Sequence, residues 1–102
     1  MSLPKPPSAI FAVTDNLAIG CMEYLKENGY KIPDDVAVMG LGDIKIAAYM
    51  TPGLTTVHYH FQTMGAKSAN LLMQLIQSGK ESSKNYERNF IFNYRLIERD
   101  SV

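Results

Sequence analysis

Ile10-Phe11-Ala12-Val13-Thr14-Asp15, and later Val36-Ala37-Val38-Met39-Gly40-Leu41-Gly42-Asp43, each run a short β-branched or apolar stretch into an aspartate. Each reads as a buried strand with a polar group at its carboxyl end. In open α/β sheets ligands bind in the crevice outside those carboxyl ends, so Asp15 and Asp43 mark one edge of an expected pocket. Between the strands, Asp15 can cap a helix over residues 16–28, with Leu17, Cys21, Tyr24 and Leu25 at helical spacing as its inward face. Asn28-Gly29 closes that helix, because glycine readily takes the left-handed conformation of a C-terminal cap. Strand, helix, strand is a βαβ unit, for which a right-handed crossover is expected. The fold class is therefore α/β, with a parallel sheet and flanking helices.

Outward from this unit, Asp43 can cap a short helix over residues 45–49, ended by Thr51-Pro52-Gly53. Leu54-Thr55-Thr56-Val57-His58 reads as a third strand. A periodic helix over residues 61–78 turns Met64, Ser68, Leu71, Leu72, Leu75 and Ile76 inward and is capped by Gly79. Residues 80–88 form a polar loop, and residues 89–97 alternate as an irregularly amphipathic last strand. The opening Met1-Ser2-Leu3, with Pro4, Pro6 and Pro7 close behind, resembles a vector-derived start joined to an extended linker over residues 1–8. So abrupt a first strand points to a piece of a longer protein.

Composition narrows the function. The 102 residues, 46% hydrophobic, suit one modest domain or part of one. Ten Lys plus Arg balance ten Asp plus Glu, leaving no basic field for nucleic acid or anionic lipid. The single cysteine, Cys21, allows no internal disulfide or CxxC motif and fits a reducing compartment, so a cytoplasmic location is expected. No apolar run approaches the roughly 20 residues that span a bilayer, and no membrane partner is expected.

Catalytic and metal signatures fall away on inspection. Cys21 lies mid-helix as ordinary core, and no serine or histidine pattern activates a nucleophile. His58 and His60 would share a strand face, but no cysteine or nearby carboxylate completes a metal set. Gly40-Leu41-Gly42-Asp43 lacks the last glycine of a dinucleotide loop. No catalytic residue, metal or cofactor is expected. What remains is Thr14, Asp15, Gly42 and Asp43 at two strand ends, with Tyr59, His60 and Phe61 beyond the third. Carboxylates accept hydrogen bonds and aromatic faces stack on sugar rings, so the mixture suits a neutral polyhydroxylated ligand. Asp15 and Asp43 serve equally well as helix caps, and Phe61 as a hydrophobic staple.

Four stretches in order, Ala-Ile-Phe-Ala-Val-Thr-Asp-Asn-Leu-Ala-Ile-Gly from Ala9, Ile-Pro-Asp-Asp-Val-Ala-Val-Met-Gly-Leu-Gly-Asp-Ile from Ile32, Pro-Gly-Leu-Thr-Thr-Val from Pro52 and Arg-Leu-Ile-Glu-Arg-Asp-Ser-Val from Arg95, resemble the C-terminal part of lactose-repressor-family (LacI/GalR) regulators. The resemblance implies a fragment of a periplasmic-binding-protein-like (type I) fold, in which two lobes close on an effector. Residues 9–60 would belong to the C-terminal lobe, residues 61–85 would cross to the N-terminal lobe, and residues 86–102 would return. It implies no enzyme but an allosteric, effector-binding and dimerising part of a transcriptional repressor, meeting operator DNA only through a head absent from this chain. Family members place asparagine and aspartate where Thr14 and Gly42 stand here, so effector contact would shift toward Asp15, Asp43, Tyr59, His60 and Phe61 or to residues outside this fragment. The Gly-Leu-Gly-Asp form is most similar to sucrose-operon repressors, which makes a disaccharide the expected effector. Ile19, Met22, Tyr49 and Met50 match dimer-interface positions, with core packing as their alternative. A long helix without its partner lobe leaves an apolar face, so a homodimer or exchanged assembly is expected. The alternative function is a secreted sugar-binding protein of a transport system.

Overall fold

The computed structural model describes residues 2–82 and 90–102, with side chains described outside 78–82. Its elements run β1 (Ala9–Phe11), α1 (Asp15–Glu27), β2 (Ala37–Met39), a 3-10 helix (Lys45–Tyr49), β3 (Thr56–Tyr59), α2 (Phe61–Ser82) and β4 (Tyr94–Ile97). The chain divides into two compact units, one of residues 1–58 with 95–102 and one of residues 59–94.

In the first unit β1 and β2 are parallel, with Ala9 opposite Ala37 and Phe11 opposite Met39. The expected βαβ unit is therefore present. β2 continues onto the third strand through a parallel bridge between Met39 and Thr55, the Gly40 N–H donating to the Thr55 carbonyl at 2.9 Å. β3 in turn pairs with β4. The first strand is more open than its sequence implies, Phe11 being 57% and Val13 63% exposed. Among the described residues β1 has a paired neighbour on one side only, so its apolar side chains lack cover.

The core gathers α1, β2, the 3-10 helix and the run into β3: Ala18, Met22, Leu25, Val38, Ala47 and Leu54 are essentially inaccessible. Burying a side chain the size of Met22 or Leu25 contributes about 1.5–3 kcal/mol. The inward face of α1 differs from the expected one. Asp15, Ala18, Met22 and Leu25 point in, while Leu17 and Tyr24 stay more than half exposed. Leu25 is inward as expected, but elsewhere the buried residue stands one position on from the expected one, Ala18 for Leu17 and Met22 for Cys21. Met22 is consequently core and not a dimer contact, the alternative its sequence had left open. Cys21 is half-buried and packs on the core, and burial pushes its thiol pKa up, away from a reactive thiolate. Gly29, at φ 80°, ends α1 as expected, with the Tyr30 N–H returning to the Leu25 carbonyl at 2.9 Å.

The second unit is built on α2. The helix continues past Gly79 to Ser82, so that glycine does not cap it. A single glycine inside a long helix costs only about 1 kcal/mol relative to alanine. Leu71 and Leu75 are half-buried, whereas Leu72, Met73 and Ile76 are each more than half exposed. Most of the expected polar loop, residues 83–88, lies outside the described residues, as does Asn89. The last strand is shorter than expected, with residues 90–93 outside it.

Candidate functional site

The carboxyl end of β1 leads into α1 through Thr14, which has extended backbone and is solvent-exposed. Thr14, not Asp15, is the N-cap: its Oγ1 accepts from the Leu17 N–H at 3.2 Å. Asp15 is the first helical residue and is only 1% exposed. The hydroxyl of Thr56 donates to its Oδ1 at 2.6 Å, and the Ile44 N–H donates to its Oδ2 at 2.9 Å. Its own N–H donates to the Leu41 carbonyl at 3.1 Å. A buried carboxylate is tolerable when both oxygens accept hydrogen bonds and the positive end of a helix dipole lies beside it, and Asp15 meets both conditions. Asp15 thus ties the ends of β1 and β2 to β3. Room for it depends on Gly40, where any Cβ would collide with Asp15 Oδ1.

The loop after β2 turns through Gly42 at φ 127° and Asp43 at φ 54°. Glycine adopts the first angle freely, and aspartate is among the few residues that tolerate the second. Gly42 is buried, its N–H donating to the Val57 carbonyl at 2.9 Å. The Asp43 N–H donates to Thr56 Oγ1 at 3.2 Å, so a single hydroxyl serves both aspartates, as donor to one and acceptor for the other.

Asp43 does not cap the 3-10 helix. The residue at the cap position is Ile44, which makes no side-chain capping bond. The Asp43 carboxylate instead spans two partners, Oδ1 with the Arg99 guanidinium at 3.0 Å and Oδ2 with His58 Nδ1 at 3.0 Å. All three side chains are mostly shielded, with exposures of 19% for Asp43, 21% for Arg99 and 34% for His58. Partial shielding weakens solvent screening and strengthens such pairs over fully exposed ones.

Tyr59, His60 and Phe61 belong to the second unit. The Tyr59 and Phe61 rings lie 4.2 Å apart between centroids at 55°, and His60 is exposed.

The chain has relatives among known proteins. The periplasmic binding protein-like domain family matches residues 1–102. The chain is 35% identical over 101 residues to the HTH-type transcriptional repressor PurR of Vibrio campbellii, covering 99% of this chain and 29% of that protein. It is 34% identical to the probable HTH-type transcriptional repressor ExuR of Bacillus subtilis, covering 100% of this chain and again 29% of the relative. The chain belongs to the LacI/GalR family, as part of its effector-binding domain. Among solved structures, the Escherichia coli transcriptional repressor ascG superposes with a TM-score of 0.69 at 34% identity, over 93% of this chain and 33% of that one. The transcriptional regulator CelR in complex with cellobiose gives 0.74 at 27% identity, over 93% of this chain and 28% of that one. This part of a LacI/GalR domain thus spans 29% of the length of the PurR and ExuR repressors it matches.

Four residues that hold the strand ends lie in the stretches that carry the family resemblance, yet the sequence gives none of them a role in the site. Thr55, Thr56 and Ser101 are at most 2% exposed. Ser101 sits between two strands, its Oγ donating to the Val38 carbonyl at 2.6 Å and accepting from the Thr55 N–H at 2.8 Å. Arg99 is the fourth. The sequence reads the two threonines only as part of the third strand, and Arg99 and Ser101 only as part of the Arg-Leu-Ile-Glu-Arg-Asp-Ser-Val stretch. The one available signal was hydroxyls at adjacent positions of an otherwise apolar strand, where one face or the other must bury a polar group.

Proposed function

We propose that this chain is the effector-binding and dimerising portion of a cytoplasmic sugar-responsive repressor. Ligand binding biases lobe closure and thereby the DNA-reading heads of the full-length regulator. The observation that carries the reading is the strand-end constellation: exposed Thr14 and the Asp43–His58 pair stand at the carboxyl edge of a parallel sheet, braced by buried Asp15 and Thr56. Hydroxyl and carboxylate oxygens at such an edge suit ligand hydroxyl groups. A relative bound to cellobiose supports a sugar, with a disaccharide as the finer expectation. Asp15 and Gly42, both buried, frame the site in this reading and do not touch the ligand. Tyr59, His60 and Phe61 are assigned to the effector by their chemistry alone, as stacking and hydrogen-bonding groups. Effector binding needs no covalent step, so the reading carries no enzymatic activity.

Dimerisation is assigned to Tyr49, 83% exposed, with Ile19 and Met50, which are half-buried and pack partly on the core. The exposed apolar face of α2 favours further self-association of the isolated chain. The repressor relatives favour this reading over a secreted transport protein. The test is calorimetry of the full-length regulator with cellobiose, sucrose, trehalose and glucose, together with D43A. Saturable binding of one sugar, weakened at least about tenfold in D43A, is the expected outcome. Equal affinity of D43A and wild type removes Asp43 from the site.

A further inference from the structure

Arg99 lies far from the strand ends in sequence, yet it is fastened to them by both backbone and side chain. Its N–H donates to Thr55 Oγ1 at 2.8 Å, and the same hydroxyl donates back to the Arg99 carbonyl at 3.1 Å. Its guanidinium forks, one nitrogen donating to the Leu54 carbonyl at 2.7 Å and the other to Asp43 Oδ1 at 3.0 Å. The stem lies against Gly53, where an added Cβ would stand 3.2 Å from Arg99 Cδ. Two residues on, Ser101 is locked between Val38 and Thr55. The guanidinium is thus aimed by a fixed backbone.

What it is aimed at needs holding. Asp43 has left-handed backbone, and its carboxylate reaches across the loop to the side chains on either side of it. We propose that Arg99 is the positioning residue of the candidate site: it fixes the Asp43 carboxylate, and with it the loop of residues 42–44, in the arrangement that presents the sheet edge to a ligand. The inference rests on the effector-site reading for its purpose and on the contacts above for its geometry. It also makes the C-terminal tail a part of the site, although none of the tail's residues need touch the ligand. A planar fork is required, because a lysine ammonium cannot serve the Leu54 carbonyl and Asp43 in the same geometry.

The test is amide hydrogen exchange by NMR on the 102-residue chain as wild type, R99Q and R99K. In R99Q the amides of Asp43 and Ile44 exchange at least about tenfold faster, while those of Met22 and Leu25 in α1 stay within about twofold. R99K falls between wild type and R99Q. Unchanged exchange at Asp43 and Ile44 overturns the proposal, and so does a rise shared equally with α1, which marks a general loss of stability. Should R99Q fail to fold, D43N keeps Arg99 and its anchor, and the same local rise is required of it. Exchange is read without ligand, so it judges the positioning even if the full-length regulator binds none of the four sugars, a result that ends the effector reading alone. If wild type binds a sugar and R99Q binds it equally well, the effector reading stands and the positioning role falls.

Discussion

Removing the Thr56 hydroxyl isolates the contact on which the candidate site's architecture depends. In T56V the side chain keeps its shape, but Asp15 Oδ1 loses its 2.6 Å donor and the Asp43 N–H loses its acceptor. Each shielded polar group left unpaired costs about 1–3 kcal/mol, so T56V is expected to lose about 3 kcal/mol. D15A strands the Thr56 hydroxyl and the Ile44 N–H, and it removes an acid from the first turn of α1, for a similar loss of about 3 kcal/mol. The double variant does not suffer the sum. A hydrogen bond to a charged group is worth about 1.5–3 kcal/mol, and that amount should return as coupling between the two sites. Equilibrium urea denaturation followed by circular dichroism measures all four corners, with a constant slope required across them. A coupling energy below about 0.5 kcal/mol refutes the reasoning, because residues that share no interaction add to within that margin.

Other consequences follow from single contacts. G40A drives a methyl group into Asp15 Oδ1 and to 3.2 Å from Ala18 Cβ. Overpacking of this kind costs about 1–3 kcal/mol in the same denaturation assay. T14A removes the α1 cap and is expected to cost about 1 kcal/mol, with no change in the fold by circular dichroism. M22A opens a cavity in the core and costs about 2–5 kcal/mol, whereas Y49S leaves unfolding within about 0.5 kcal/mol of wild type. On the dimer proposal, Y49S instead lowers the mass seen by size-exclusion chromatography with light scattering; an unchanged dimer would take Tyr49 out of the interface.

The fold was legible because its signals were local. Val36 to Gly40 is an unbroken apolar run, and Asn28-Gly29 has the chemistry of a helix end, so strand, helix and parallel strand could be read without the rest of the chain. The site was harder to read, because its contacts are long-range and polar. Asp15 and Asp43 were visible as acids at strand ends, but capping was the best local use for them, and each found a better partner elsewhere. Asp15 turned inward to Thr56, leaving the cap to Thr14. Asp43 turned to Arg99 and His58. The expected face of α1 was set by the larger apolar groups Leu17 and Tyr24, whereas the buried stripe runs from Asp15 through Ala18 and Met22 to Leu25. For α2 the pattern identified a helix correctly, and Met64, Leu71 and Leu75 of its expected inward face are half-buried. Leu72 and Ile76 belong to an apolar stripe that finds no cover among the described residues.

On the proposed function, the carboxyl edge of this sheet binds a sugar in a LacI/GalR regulator. Titration calorimetry of the full-length protein with cellobiose, sucrose, trehalose and glucose, in wild type and D43A, tests it most directly. Saturable heat with one of these sugars and at least about a tenfold loss of affinity in D43A are expected. Absence of heat with all four, or an affinity that D43A leaves unchanged, would contradict it.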